Sequence, residues 1–432
     1  MTITRRDALA AIAATAGTGY VNSATAAPSV RAASDQTSAL QAMIDASAPL
    51  GRPVVLPAGA TVTGPLILRP GTVIIGTGHS TRLVFTGGGA ALTASDADGI
   101  RLINFTIDAA WKPLGGDRAV ASFTRCKDLA IDGVTVRHAA GHGISLVSAS
   151  GRIERCAVEN VSDAGIFALD CRLTVADNSI DQCGNNGILI WRSGPAEDGS
   201  QVRGNRIARV RADAGGSGQN GNGINIFRAG SVSVSGNSIT DCAYSAVRGN
   251  ASSNISITGN HCLRLGEVAI YAEFGFEGAL IANNIVDQAA TGVAVTNFNE
   301  GGRLAVVQGN VIRNLFRRDH EPVDTRGHGI AIEADTAVSG NTIEGAPTAG
   351  ILVGWGRYMR DVSVTGNVIR KSRSGMLVSA DAIAGTVLVS GNMISGATDG
   401  AIRAHDRGRV FGPDYVREPT TGRVTIMANV AS

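Results

Sequence analysis

The residues best suited to acid–base chemistry recur at alternate positions of short segments in the middle of the chain. Arg248, Tyr271 and Glu273 lie on two such segments, and Glu333 lies at the matching position of a later one. A guanidinium binds a carboxylate through two parallel hydrogen bonds, and a tyrosine or a glutamate can transfer a proton. We therefore predict catalytic roles for these four residues.

Two types of reaction fit this set. Arg248, Tyr271 and Glu273 match the cation, acid and base that are needed to remove a proton beside a substrate carboxylate. Glu273 and Glu333 lie two repeats apart, about 10 Å along the chain's repeat axis, which is near the upper end for the carboxyl pair of an inverting hydrolase. The alternative is a solvated surface on which Arg248 and Glu273 form an ion pair.

Six polar or aromatic residues near this group are candidates for substrate binding: Asn250, Thr296, Asn297, Arg303, His328 and Trp355. Their amides, hydroxyl, imidazole and guanidinium can hydrogen-bond a polar ligand. Trp355 lies between two glycines on a predicted turn, where its ring could stack on a ligand or pack within the loop.

Two short motifs recur along the chain and predict the elements that position these residues. The first is Gly-Asn-x-Ile or a close variant, with its asparagine at Asn178, Asn205, Asn237, Asn260, Asn284, Asn310, Asn341, Asn367 and Asn392. The second is Gly-Ile/Val-x-Val/Ile or a variant, which begins at Gly143, Gly165, Gly187, Gly223, Ala246, Ala269, Gly292, Gly329, Gly350 and Gly375. A period of about 20–30 residues indicates a solenoid.

Apolar and polar residues alternate within each repeat, as in Val232-x-Val234 and Val362-x-Val364. This period of two is that of β-strands and excludes helical repeats. We therefore predict an all-β chain wound as a single-stranded parallel β-helix, with about 20–30 residues per coil. The recurrent asparagines are expected to stack at one turn of successive coils and to hydrogen-bond along the axis.

The segments that flank the repeat are predicted to form a cap at each end of the β-helix. The β-helix is predicted over residues 61–411. Residues 27–60 are predicted as an N-terminal cap that contains an amphipathic capping helix, because the first coil would otherwise expose raw strand edges. Residues 412–432 lose the repeat and are predicted as a C-terminal cap.

Two insertions predict the position of a cleft. The distance from the asparagine motif to the next glycine motif is usually 8 or 9 residues, but it is 18 and 19 at two places. The first long loop (residues 211–222) and the second long loop (residues 314–327) fall at the same turn, so both should project from the same side. The three coils between them would make a floor about 14 Å wide, and we predict a cleft there.

The N-terminus predicts export. The pair Arg5-Arg6 precedes an alanine-rich apolar stretch and the potential cleavage site Ala24-Thr25-Ala26. Residues 1–26 are therefore predicted as a twin-arginine signal peptide, which requires the twin-arginine export machinery and gives a periplasmic or secreted protein. Six cysteines in such a protein allow disulfides, but folding in a reducing cytosol before export favours buried free thiols.

Composition excludes several classes of protein. Hydrophobic residues make up 44% of the chain, charged residues 17%, and the net charge is +2. These values exclude a disordered chain and a polybasic nucleic-acid binder. No interior apolar run is long enough to span a membrane. Metal-binding and nucleotide-binding motifs are absent from the sequence, so we predict no metal and no cofactor.

The segment 35–59 resembles the N-terminal cap of pectate-lyase-like right-handed β-helix proteins. With its leader and asparagine-bearing coils, the whole chain resembles the twin-arginine-translocated repetitive proteins, a bacterial family with no established activity. The resemblance implies a right-handed helix, in a superfamily dominated by enzymes that cut or epimerise acidic polysaccharides. Gly141-His142-Gly143 is similar to a motif of polygalacturonase-type hydrolases, but the aspartates that accompany that motif are missing.

Together these observations predict an exported carbohydrate-active β-helix protein that binds a polysaccharide or oligosaccharide. A polysaccharide lyase, an epimerase and a glycoside hydrolase are open alternatives for its activity. A non-catalytic polysaccharide-binding or envelope-structural protein of the same fold is the rival hypothesis. It predicts that Arg248, Tyr271 and Glu273 pair with one another or face different directions.

Overall fold

Successive turns of the chain add strands to three sheets that run along a common axis. The strands pair in parallel except at the end of the third sheet, where Ile402–Asp406 and Arg409–Phe411 are antiparallel. This computed structural model describes residues 34–318, 320 and 326–432. They form a right-handed parallel β-solenoid of about 14 turns, with one short α-helix, Thr37–Ser47, near its N-terminus. The predicted fold class is therefore confirmed. The predicted leader, residues 1–26, lies outside the described residues.

The three sheets each contain fifteen strands. Sheet A consists of Pro53–Val55, Val73–Ile75, Arg101–Ile103, Leu129–Asp132, Ser150–Glu154, Arg172–Ala176, Gln201–Arg203, Ser233–Ser235, Ile255–Thr258, Glu277–Ala282, Arg303–Gln308, Thr336–Ser339, Val362–Thr365, Val387–Ser390 and Val424–Met427. Sheet B consists of Gly59–Thr63, Thr81–Phe85, Thr106–Asp108, Thr135–Ala139, Ala157–Val161, Ser179–Cys183, Arg206–Val210, Ser238–Cys242, His261–Leu265, Ile285–Asp287, Val311–Arg313, Thr342–Glu344, Val368–Arg370, Met393–Ser395 and Val430–Ala431. Sheet C consists of Leu66–Ile67, Leu92–Ser95, Ala119–Thr124, His142–Val147, Ala164–Leu169, Asn186–Glu197, Asn222–Gly230, Val247–Asn250, Val268–Glu273, Thr291–Val295, His328–Ile332, Ala349–Val353, Ser374–Ser379, Ile402–Asp406 and Arg409–Phe411. Short 3-10 helices lie at Ala48–Leu50, Gly78–Ser80, Gly115–Asp117 and Phe298–Glu300.

Inward side chains of successive coils form columns of apolar residues. In sheet A, Val307, Val338, Val364 and Val389 are in register on four consecutive strands, and all are fully buried. β-branched residues pack well on a pleated surface. A slip of one residue would turn such a column towards solvent, so the apolar alternation fixes the register of each coil.

The recurrent asparagines form a buried ladder at the turn between sheets A and B. At Asn310, the side-chain Nδ2 donates to Asn341 Oδ1 at 2.9 Å and to the Ile281 carbonyl at 3.1 Å, and the backbone N–H donates to the same Asn341 Oδ1 at 3.0 Å. The same pattern repeats from Asn178 to Asn392 and ends at Asn429. The predicted stacking of asparagines is present, and it includes Asn429, which the motif search missed.

The glycine of the second motif is required by close packing. A Cβ atom at Gly350 would lie 2.4 Å from Ile369 Cγ2 and 2.7 Å from the Gly375 carbonyl oxygen. Neither distance is compatible with van der Waals contact. Glycine therefore allows sheet C to approach both the facing core residue and the next coil.

An α-helix covers the N-terminal end of the solenoid, and β-strands continue to its C-terminal end. The helix Thr37–Ser47 buries Leu40 and Ile44, and the Gln41 side chain hydrogen-bonds both the N–H and the carbonyl of Ile67 on the first strand of sheet C. This contact covers an exposed strand edge. Strands begin at Pro53 and continue to Ala431, so the solenoid extends beyond the predicted span 61–411 at both ends.

The six cysteines are buried and their thiols are free. Burial raises the pKa of Cys156 and of Cys262 to about 12. These thiols are therefore protonated at neutral pH and act as small apolar core residues.

Among the described residues, no helix is long and apolar enough to cross a membrane.

Candidate functional site

Arg248 and Glu273 form a buried ion pair on the outer face of sheet C. Arg248 Nε donates to Glu273 Oε1 at 2.6 Å, and Nη2 donates to Oε2 at 2.9 Å. Asn250 Nδ2 also donates to Glu273 Oε1, at 3.0 Å. Arg248 is 6% exposed and Glu273 is 2% exposed. Burial raises the pKa of Glu273, while the Arg248 guanidinium opposes that rise. The three residues are therefore brought together as predicted, but they pair with one another instead of facing an open site.

Glu267 extends this pair into a network that joins the two long loops. Its carboxylate lies 3.3 Å from Arg248 Nη1, 3.2 Å from Arg318 Nη1 and 3.6 Å from Arg326 Nη2. Arg248 Nη1 also donates to the Ser217 carbonyl of the first long loop, at 2.8 Å. Glu267 lies just before the strand Val268–Glu273. The alternation of inward and outward residues on that strand therefore did not predict a role for Glu267.

An open depression of about 360 Å³ lies beside this network on sheet C. Six of the predicted site residues line it: Tyr271, Thr296, Asn297, His328, Glu333 and Trp355. Arg326 of the second long loop lines it as well, whereas residues 319 and 321–325 of that loop lie outside the described residues. The floor is apolar, because Ala294, Ala331 and Leu352 are in register on three consecutive strands.

Glu333 is the ionisable group of this depression that is best suited to proton transfer. Burial raises its pKa to about 7. The Phe298 backbone N–H donates to Glu333 Oε2 at 2.6 Å, which favours the ionised form and opposes that rise. Among the described residues, no cation forms an ion pair with it. A carboxyl with a pKa near neutrality can accept or donate a proton at physiological pH.

Three buried polar atoms of the depression have no hydrogen-bond partner among the described residues. They are Thr291 Oγ1, Thr296 Oγ1 and His328 Nε2. Burial lowers the pKa of His328 to about 3, so its ring is neutral at physiological pH. Buried polar groups in proteins are almost always satisfied. Water or the hydroxyl groups of a polar ligand can supply the missing partners.

Tyr271 connects the depression to the buried network. Its ring lies 4.8 Å from the Arg248 guanidinium, and its side chain lines the depression. Burial, together with the nearby charge of Glu273, raises the pKa of Tyr271. The phenol is therefore protonated at neutral pH and can serve as a proton donor.

Arg303, a predicted substrate-binding residue, does not line the depression. Its Nη2 contacts Glu277 Oε1 at 2.5 Å, and its Nη1 contacts Asp335 Oδ2 at 3.3 Å. Asp335 also pairs with Arg360 at 2.6 Å. Arg303 is thus held in a line of inter-coil ion pairs on sheet A.

A separate groove of about 740 Å³ lies between the two long loops. Arg211 of the first long loop and Phe316 of the second line it, and its floor includes Ala243 and Gly266. None of the ten predicted site residues lines this groove. A concavity therefore lies between the loops, but the six predicted residues that line the depression are on another surface, on and beside sheet C.

Within the described part of the chain, no group of three or more histidine, cysteine, aspartate or glutamate residues could hold a metal ion. The prediction that the protein uses no cofactor stays a prediction.

The chain belongs to the right-handed β-helix family. The family described as "Right handed beta helix region" matches residues 71–207, 150–311 and 196–369, which together cover more than half of the chain. No curated protein matches the sequence.

Solved structures that match the chain include proteins from phages and bacteria. A double mutant of the tailspike protein of E. coli bacteriophage HK620, in complex with a pentasaccharide, is 12% identical, with a TM-score of 0.58 over 87% of this chain and 75% of the tailspike chain. Pre-mature gene product 12 of bacteriophage phi29 is 14% identical, with a TM-score of 0.50 over 84% of this chain and 53% of its own. The A-module of a mannuronan C-5 epimerase of Azotobacter vinelandii is 16% identical, with a TM-score of 0.44 over 93% of this chain and 96% of its own. At these identities the similarity concerns the fold.

Proposed function

We propose that this protein is an exported carbohydrate-active β-helix protein that binds an oligosaccharide in the sheet C depression and acts on it through Glu333. The observation that carries this proposal is the coincidence, in one depression, of Glu333 with three unpartnered polar atoms. Sugar hydroxyls both donate and accept hydrogen bonds, so they can satisfy Thr291, Thr296 and His328. The ring of Trp355 offers an apolar surface for a sugar face.

Proton abstraction fits this residue set better than hydrolysis. Hydrolysis by the common mechanism needs two carboxyl groups, and Glu333 is the one carboxylate among the described residues that line the depression. In an elimination, Glu333 would take the C5 proton of a uronate, the C4–O bond would break as the C4–C5 double bond forms, and Tyr271 would protonate the leaving oxygen. Arg326 would face the substrate carboxylate. Glu333 and Arg326 thus take the roles that the sequence suggested for Glu273 and Arg248.

An epimerase would use the same first step. After Glu333 has taken the C5 proton, return of a proton to the opposite face would invert that carbon without bond cleavage. The two reactions share the proton abstraction and diverge in the step after it, so the residues of the depression support either.

A non-catalytic polysaccharide-binding protein is the second candidate. The observation in its favour is the burial of Arg248 and Glu273 in a mutual ion pair. In this case the depression holds a glycan, and the raised pKa of Glu333 makes binding depend on pH without turnover.

Export by the twin-arginine pathway, to the periplasm or the medium, is part of the proposal. The supporting features are the pair Arg5-Arg6, the apolar stretch and the site Ala24-Thr25-Ala26. The resemblance to the twin-arginine-translocated repetitive proteins supports the same destination.

The test is turnover of a panel of uronate-containing and neutral polysaccharides by the wild-type protein, Glu333→Gln and Glu300→Gln. Products are followed by mass spectrometry, by the ultraviolet absorbance of a new double bond and by uptake of deuterium from solvent. We expect Glu333→Gln to lose at least about 100-fold in rate. Glu300→Gln is the matched control, because Glu300 is an exposed carboxylate on the neighbouring turn, and it should keep the wild-type rate.

Each outcome separates the candidates. Turnover that Glu333→Gln retains in full would remove Glu333 from the mechanism. Binding of a glycan without any product, deuterium uptake included, would favour the non-catalytic protein. A product with a new double bond identifies a lyase, and deuterium at C5 of an uncut chain identifies an epimerase.

A further inference from the structure

A row of partly exposed rings lies on the outer face of sheet C, on the N-terminal side of the depression. His142, Phe167, Trp191 and Phe227 come from four consecutive coils. Their ring centroids are separated by 5.1, 5.9 and 5.8 Å in that order. Aromatic residues make up 4% of the chain, so rings on successive coils are not a general property of this solenoid. We call these four residues the aromatic track.

Two rings of the track, Trp191 and Phe227, share an outward row with two residues of the depression. Trp191 is in register with Phe227, Phe227 with Asn250, and Asn250 with Glu273. On the next two strands, the residues that continue this row lie beside the in-register pair Val295 and Ile332. They are Thr296 and Glu333, which both line the depression. One outward row of sheet C therefore contains Trp191, Phe227 and the proposed acid–base group, while Phe167 lies two residues to one side of that row.

Near Trp191, backbone segments border the track on both sides. The strand Asn186–Glu197 has an irregularity between Trp191 and Ala196, where extra residues loop out next to the ring. Arg228 Nη1 donates to the Ser193 carbonyl in that bulge at 3.0 Å and so holds it in place. On the other side, the Gly218 carbonyl of the first long loop accepts a hydrogen bond from Asn225 Nδ2 at 3.0 Å. Trp191 and Phe227 thus lie between this bulge and the first long loop.

Individual contacts fix the orientation of the rings. Trp191 Nε1 donates to Asn225 Oδ1 at 3.0 Å. The Arg228 guanidinium lies 4.6 Å from the centre of the Phe227 ring. His142 stacks on Phe167 with an interplanar angle of 9°. Rings that are fixed in this way lose little conformational entropy when a ligand covers them.

We propose that the aromatic track is a glycan-binding subsite and that the ligand is a long chain lying parallel to the solenoid axis, with one end on the rings and its reacting residue at Glu333. The carbon-bound hydrogens of a sugar ring form an apolar face, which gains free energy when it covers an aromatic ring. Trp191 and Glu333 lie five coils apart, about 24 Å. A sugar residue advances an extended glycan by roughly one coil spacing, so a hexasaccharide or longer chain reaches both.

This inference rests on the proposed function, because it assigns to the same glycan a second place of contact. It adds a requirement that the depression alone does not impose, namely a preference for long chains. Trp191→Ala should weaken binding of an octasaccharide about tenfold and should leave binding of a disaccharide unchanged.

The three tryptophans of the chain allow the two places to be observed separately. The double variant Trp111→Phe/Trp355→Phe keeps Trp191 as its fluorescent reporter on the track. The double variant Trp111→Phe/Trp191→Phe keeps Trp355 as its reporter in the depression. Both use the conservative change to phenylalanine, which preserves an aromatic ring at each site. The probes are disaccharides and octasaccharides of mannuronate, galacturonate and cellulose.

We expect a bound octasaccharide to change the emission of both reporters and a disaccharide to change that of Trp355 alone. An octasaccharide that changes Trp355 emission and leaves Trp191 emission unaltered would overturn the track and leave the proposed function standing. If no probe changes the emission of either tryptophan, both the aromatic track and the proposed function are overturned. A response of Trp191 without one of Trp355 would support the track as a glycan site and remove the depression from the proposed function.

Discussion

Replacing Glu333 by glutamine should change how the free energy of unfolding depends on pH. Burial raises the pKa of Glu333 from its ordinary value of 4.5 to about 7, so the folded protein retains a proton that the unfolded chain releases. The stabilisation from that proton is complete below pH 4.5 and is lost as the pH rises through 7. A shift of this size corresponds to about 3 kcal/mol. Glutamine cannot ionise, yet its side-chain oxygen can still accept the Phe298 N–H.

The assay is urea unfolding of the wild-type protein, Glu333→Gln and Glu300→Gln at a series of pH values from below 4.5 to above 7. The stability of Glu333→Gln, relative to wild type, should rise by about 3 kcal/mol across this range. Glu300→Gln should follow the wild-type profile, because Glu300 is exposed. A constant difference between Glu333→Gln and wild type at every pH would refute the raised pKa, and with it the basis for acid–base chemistry at this residue.

Two further predictions concern stability. Asn310→Ala removes one member of the asparagine ladder and leaves buried partners without hydrogen bonds, so the free energy of unfolding should fall by about 3 kcal/mol. The control is Asn299→Ala, which changes an exposed asparagine. An equal urea midpoint for the two variants would contradict a structural role for the ladder. Glu273→Gln should lower the free energy of unfolding by about 3 kcal/mol at neutral pH, because it leaves the buried Arg248 guanidinium without its bidentate partner; a variant as stable as wild type would show that the pair does not stabilise the fold.

The fold could be predicted from the sequence because each coil repeats the same physical requirements. The alternation of apolar residues gives strands, and the asparagine at a fixed place in each repeat gives the turn. Asn429 was not predicted because it lies 37 residues after Asn392, a longer interval than separates any of the other asparagines. The strands Val424–Met427 and Val430–Ala431 were not predicted for the same reason, although they continue sheets A and B.

The candidate site could be predicted in part. Alternation correctly placed Arg248, Tyr271, Glu273 and Glu333 on the outer face of sheet C. It could not tell which outward residues contact each other, because contacts between coils depend on side-chain length. Arg248 is in register with Tyr271 and not with Glu273, but an arginine is long enough to reach its diagonal neighbour.

The two glutamates of this row show why residue type and position are not enough to identify an acid–base group. Each is outward-facing and follows a buried residue on a sheet C strand. The diagonal neighbour on the preceding coil is Arg248 for Glu273 and Ala294 for Glu333. The arginine binds and neutralises the first carboxylate, whereas the alanine leaves room above the second and offers no charge. Burial without a cation raises the pKa of Glu333 to about 7, and the small side chain opens the depression in which that proton can reach a ligand.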